Sequence, residues 1–173
     1  MKLLINKKTT NFLKSELRLA EEREIGGILV AEHRQDEVFS IAGISVQRSG
    51  GTGSRFVRDP AHHTEFLSRF FSQTGHDYTR YNYIGEWHSH PSFSVLPSIE
   101  DCTTMQAIVS DPRVNVSFAI LLVVRLQAFG LLKLSATAFR VGHQPENVDL
   151  ASETWRWPGS SFRQARSKVI RRI

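Results

Sequence analysis

Two histidines one residue apart, His88 and His90, are the first feature of this sequence with chemical consequences. They sit at the end of a β-rich stretch, residues 81–88 (YNYIGEWH), and just beyond it, and alternate residues of a strand project from one face. Both imidazoles therefore point the same way, and neutral imidazole is a common zinc ligand. Beyond His90 come Ser98, an expected helix N-cap, and Asp101 three positions later, in the first helical turn. A His pair at a strand end facing an Asp at a helix start supplies three ligands. A fourth position stays open, as in catalytic zinc sites and not in closed structural ones.

Other chemistries built from similar pieces fall away. HEXXH is absent, so the chain is not a zincin, and with a single cysteine it lacks the PCxxC that zinc deaminases require. An HxH opening a TIM barrel would need more than the 173 residues present, since that fold takes about 200 to 250. Taken alone, HxH also describes two surface histidines beside an unrelated Asp. The run RSGGTGS (48–54) lacks both the GK[ST] of a P-loop and the GxGxxG of a dinucleotide fold, and reads as a loop.

The elements that must position these residues can be read from periodicity. Residues 1–6 form an expected strand, and Thr9 or Thr10 an expected cap for a helix reaching Ala20. GGILVAEH and VFSIAGISV, joined by a polar turn at 34–36, read as an antiparallel hairpin. A brief strand at 55–58 precedes Pro60, which starts a helix through about Thr74 with Phe66, Leu67, Phe70 and Phe71 on one face. Pro97-Ser98 opens a helix to about Ser110, and 114–126 and 131–141 make two more strands. The reading is one α/β (α+β) domain at residues 1–141 with a mixed sheet flanked by helices, then a C-terminal extension at 142–173.

Charge adds less than it first suggests. The chain carries 22 Lys+Arg against 17 Asp+Glu, a net +5 that invites a nucleic-acid reading. Arg163, Arg166, Lys168, Arg171 and Arg172 hold that whole excess. The body is formally neutral, so nucleic-acid binding is not expected of the domain, and the tail's role stays open. The lone Cys102 excludes an internal disulfide framework and a Cys-based zinc cluster, and fits a reducing cytoplasm. The most apolar run, FAILLVVRL, is too short for a membrane span, which takes about 20 residues, and no membrane partner is expected.

The spacing H-S-H-x7-S-x-x-D, carried by His88, His90, Ser98 and Asp101, resembles the metal motif of the JAMM metallopeptidases (the MPN or JAB domain). Glu24-Ile25-Gly26-Gly27-Ile28-Leu29 is similar to the family's upstream ExGGxL segment, and Pro91 and Pro97 also fit. The resemblance covers about residues 1–140 and implies a JAB/MPN-like fold of cytidine-deaminase-like architecture. It implies one Zn²⁺ per chain, held by His88, His90 and Asp101. It also implies that Glu24 deprotonates the attacking water and that Ser98 hydrogen-bonds the oxyanion. Of the nearby acids only Glu24 has the right offset from Gly26-Gly27; Glu21 and Glu22 read as a solvated helix end.

The activity so implied is hydrolysis after the C-terminal residue of a ubiquitin-like modifier, by deconjugation or maturation. The expected partners are the modifier or its conjugate, with ubiquitin-like conjugation enzymes nearby. GEWHSHP is similar to bacterial members encoded beside such enzymes, including antiphage (CBASS-type) operons. The alternatives are a peptidase processing sulfur-carrier proteins and a non-catalytic MPN scaffold. Among neighbouring residues, Glu86 shares strand parity with the two histidines, so it either lines the cleft or is an exposed charge. Trp87 is expected in the core, Cys102 in packing, and His62 and His63 on the surface of their helix. The stretch 48–58 reads as a loop that could border a groove.

Overall fold

In the computed structural model, residues 1–53 and 56–153 are described; the basic tail, Trp155, Trp157, Ser54 and Arg55 lie outside them. Strand β1 (Lys2–Ile5) leads into helix α1 (Lys7–Ala20), and β2 (Gly26–Gln35) and β3 (Val38–Ile44) form the expected hairpin. A 3-10 turn (Pro60–His63) runs into α2 (Thr64–Gln73), followed by β4 (Tyr81–Ser89) and α3 (Ile99–Ser110). Strands β5 (Ala119–Leu126), β6 (Leu132–Phe139), β7 (Glu146–Asn147) and β8 (Asp149–Ser152) complete the order. No described helix is long and apolar enough to cross a membrane.

The eight strands form one mixed sheet in the order β7-β6-β5-β4-β2-β3-β1-β8. β4 pairs parallel with β5, and β1 parallel with both β3 and β8; the other pairings are antiparallel. The sheet therefore continues past residue 141, and both of its edges come from residues 146–152. Nothing periodic marks those strands in the sequence, because each is too short to alternate.

Alternation along β5 divides the core. Ile120, Leu122 and Val124 join Trp87 and the buried α1 residues Leu13 and Leu17 on one face. Ala119, Leu121 and Val123 pack with Met105 and Val109 of α3 on the other, where the half-buried Cys102 also rests. Burying these side chains contributes most of the stabilisation, at roughly 25 cal/mol per Å² of apolar surface.

Three local expectations change. Asn6, not Thr9 or Thr10, caps α1: its side-chain oxygen accepts from the Thr9 amide at 2.8 Å, and Thr9 is buried on the helix's inner face. Asn caps as well as any residue, and here it comes first. Residues 114–118 lie outside any strand, since Val114 and Asn115 bond back to the Asp111 carbonyl after α3 ends. Of the brief strand expected at 55–58, the described part is an isolated bridge between Phe56 and Gly51.

Candidate metal centre

β4 lies between β2 and β5, and its end is pinned from both sides. Ser89 donates its amide to Ile25 O at 2.8 Å, and its hydroxyl accepts from Ile25 N at 3.0 Å. On the other side the His90 amide donates to Val124 O at 2.9 Å. These bonds fix the backbone that carries His88 and His90. Trp87, of the opposite strand parity, is fully buried and donates Nε1 to Ser45 O at 2.8 Å.

α3 brings the third group. Ser98 is its N-cap, in a capping box with Asp101: Asp101 N donates to Ser98 Oγ at 3.1 Å, and Ser98 N donates back to Asp101 Oδ2 at 2.7 Å. The Ser98 hydroxyl also donates to Oδ2, at 2.8 Å. Asp101 Oδ1 is then 3.4 Å from His88 Nε2, and its Oδ2 is 3.7 Å from His90 Nε2. The two Nε2 atoms face each other at 3.1 Å.

This donor set fits a zinc ion. Two nitrogens each about 2.1 Å from a shared tetrahedral ion lie about 3.4 Å apart, close to the spacings seen. His90 Nδ1 lies 2.5 Å from the Ser94 carbonyl, an acceptor, so Nδ1 carries the proton and Nε2 presents its lone pair inward. The imidazoles of His88 and His90, both buried, and the part-buried carboxylate of Asp101 form a group that could hold a metal ion.

His88, His90 and Asp101 line a cleft of about 650 Å³ that Glu24, Glu86, Ser98 and Arg58 also line. Glu24 stands just before β2 and is 5% exposed, and its amide donates to Thr52 O at 2.7 Å. It stays outside the tight ligand cluster. Burial pushes its carboxyl above the ordinary glutamate range; His88 pulls it down, and Asp101 and Glu100 push it up. Burial also pushes Asp101 up, but the bonds and charge of His88 and the bonds from Ser98 outweigh that and hold its carboxyl well below the usual range. Its ionised form, the one that ligates metal, is thus favoured.

The glycines after Glu24 are there for space. A Cβ on Gly27 would sit 2.2 Å from Ser45 O, so β3 can approach this end of β2 only past a bare backbone. Gly85, at φ +142° on β4, faces the Ile120 carbonyl at 2.0 Å from where its Cβ would be, and lies at the β2–β4 register shift.

Glu86 lines the cleft and is 8% exposed, and it is paired with Arg58, whose Nε donates to Oε1. Glu21 and Glu22 are exposed. His62 is exposed, but His63 is not, which corrects the surface reading: it is 1% exposed, with Nδ1 2.7 Å from Ser45 Oγ. The 3-10 turn before α2 tucks it inward, off the helical periodicity that made it look solvent-facing. Arg58, Gln47 and Ser94 were not singled out by spacing, because each acts through a partner distant in sequence or through its backbone.

A family profile described as prokaryotic homologs of the JAB domain matches residues 11–141. No functionally curated protein matches the sequence. Among solved structures, the chain resembles the solution structure of a protein from Desulfitobacterium hafniense, at TM-score 0.63 and 15% identity over 87% of this chain and 92% of that one. That likeness is one of fold.

Proposed function

The chain belongs to the family of prokaryotic homologues of the JAB domain, and on that footing we propose that it is a zinc-dependent peptidase. The proposed reaction is cleavage of the peptide or isopeptide bond after the last residue of a ubiquitin-like modifier. The observation that carries the reading is the convergence of His88, His90 and Asp101 on a cleft that Glu24 shares without joining the ligand cluster. The resemblance of GEWHSHP to bacterial members encoded beside conjugation enzymes, antiphage operons among them, supports such enzymes as partners. The single thiol supports a reducing cytoplasm.

His88, His90 and Asp101 would hold the ion, and Zn²⁺ bound there supplies the Lewis acidity that makes water nucleophilic near neutral pH and polarises the scissile carbonyl. Glu24 receives the proton of the attacking water on its carboxylate and returns it to the leaving amine. Its buried setting suits that shuttle, because it brings the carboxyl's proton affinity closer to that of the groups it serves. The Ser98 hydroxyl, which donates to Asp101 Oδ2 at 2.8 Å, turns to the carbonyl oxygen as negative charge develops.

The test is incubation of the zinc-loaded protein with a ubiquitin-like fusion and a sulfur-carrier fusion, with products sized by mass spectrometry. Cleavage after the modifier's last residue, lost in Glu24→Gln, is the expected result. Cutting of the sulfur-carrier fusion alone moves the substrate to cofactor biosynthesis. Binding of either fusion without cleavage makes the protein a scaffold.

A further inference from the structure

Among the described residues of the cleft is a guanidinium that this chemistry does not use, that of Arg58. Among the described lining residues Arg58 is the only Lys or Arg, against the carboxylates of Glu24, Glu86, Glu100 and Asp101. Its backbone is clamped by a single buried amide: Gln47 Nε2 donates to Val57 O at 3.0 Å, and Asp59 N donates to Gln47 Oε1 at 2.8 Å. Gln47 is itself tied to the start of β2, its amide donating to Gly26 O at 2.7 Å. The side chain is held separately, by Nε on Glu86, two residues before His88 on the ligand-bearing strand. Among the described residues the two Nη atoms make no hydrogen bond, and the side chain is 24% exposed.

An arginine fixed at both ends loses little freedom when it donates again, which is the condition for a strong contact. Glu86 offsets its charge and the Glu24 carboxylate lines the same cleft, so an anionic ligand is disfavoured there. What the site offers is directed N–H donors for a neutral acceptor, and the neutral acceptor repeated along an extended peptide is its backbone carbonyl. We propose that Arg58, braced by Glu86 and Gln47, is a substrate-positioning residue whose Nη groups hold a backbone carbonyl of the peptide segment entering the cleft. The inference rests on the peptidase reading above.

The competing role is structural: Arg58 neutralises the buried Glu86 and does nothing else. The double variant Arg58→Gln/Glu86→Gln separates the two, because it removes both charges together. The probe is a fluorescein-labelled peptide with the ubiquitin C-terminal sequence, joined through its last glycine to a lysine side chain. Binding is read by anisotropy on zinc-free protein, and cleavage kinetics on zinc-loaded protein. The double variant is expected to unfold with the wild type yet bind at least about tenfold more weakly, the size of one charge-assisted hydrogen bond, with the loss falling on KM more than kcat. Arg58→Lys, which keeps the charge but not the forked donors, is expected to bind weakly as well. A double variant that binds as tightly as wild type overturns this inference alone. A wild type that neither binds nor cuts the probe overturns the peptidase reading, and this inference with it.

Discussion

Ser98 and Asp101 hold each other: the serine amide and hydroxyl both donate to Asp101 Oδ2, and the Asp101 amide donates back to the serine oxygen. One pair of side chains thereby starts α3 and aims a carboxylate at His88, 3.4 Å away. Removing the hydroxyl should cost on both counts. Ser98→Ala is expected to destabilise the zinc-free protein by about 1 kcal/mol, the usual loss of a helix cap. It should also weaken zinc binding by about 10- to 100-fold, as loss of a hydrogen bond that orients a ligand does. Urea unfolding and competition with a chromogenic chelator measure the two; an unchanged zinc affinity would mean that Ser98 does not orient Asp101 for the ion.

Glu24 gives the opposite pattern, activity lost and stability kept. Burial raises its carboxyl in the folded state, so above the ordinary pKa of 4.5 its ionisation opposes folding. Glu24→Gln removes that cost, and the variant should melt at or above the wild-type temperature near neutral pH. Its kcat/KM should fall by at least about 100-fold, the contribution of a positioned general base. Full activity in this variant would end the proposed mechanism.

Much of this centre was legible in the sequence because it rests on local periods. The strand period of two put His88 and His90 on one face and Trp87 on the other, and the capping-box spacing tied Ser98 to Asp101. The Arg58–Glu86 pair was not legible, since it joins a loop to a strand 28 residues on and no local pattern encodes that distance. The glycine pair was recognisable as a motif, but its reason, the Ser45 carbonyl against Gly27, exists only once β3 is folded back. The edge strands β7 and β8 were missed for the reason that makes them strands at all, which is pairing with β6 and β1.

His63 makes a prediction about acid. His63 Nδ1 shares a hydrogen bond with Ser45 Oγ, which also accepts from Ile28 N, and the ring is closed off from solvent. Burial, with smaller contributions from His62 and Arg58 against the opposing Asp59, lowers its pKa to about 4. Between the ordinary 6.5 and about 4, the unfolded chain binds a proton that the folded chain refuses, so stability falls as pH falls through that window. His63→Asn keeps an acceptor for Ser45 without a titrating group. Measured by urea unfolding at about pH 7 and about pH 4.5, the wild type should lose about 2 kcal/mol more than the variant. Equal losses would mean His63 is protonated at little cost.

The opposed imidazoles make the sharpest test of the metal. Two Nε2 atoms 3.1 Å apart beside one carboxylate form a donor set that the unfolded chain lacks, so zinc bound there should favour the folded state. At a hundredfold excess over Kd the ion adds about 2.7 kcal/mol, which for a chain of this size raises Tm by roughly 5–10 °C. Differential scanning fluorimetry with zinc, then with a chelator in excess, should show the rise and its reversal. His88→Ala and His90→Ala should each abolish it. Cys102→Ser should keep it whole, because Cys102 packs against the α3 core and stands outside the donor set. A rise that survives both histidine variants would place the ion elsewhere in the chain.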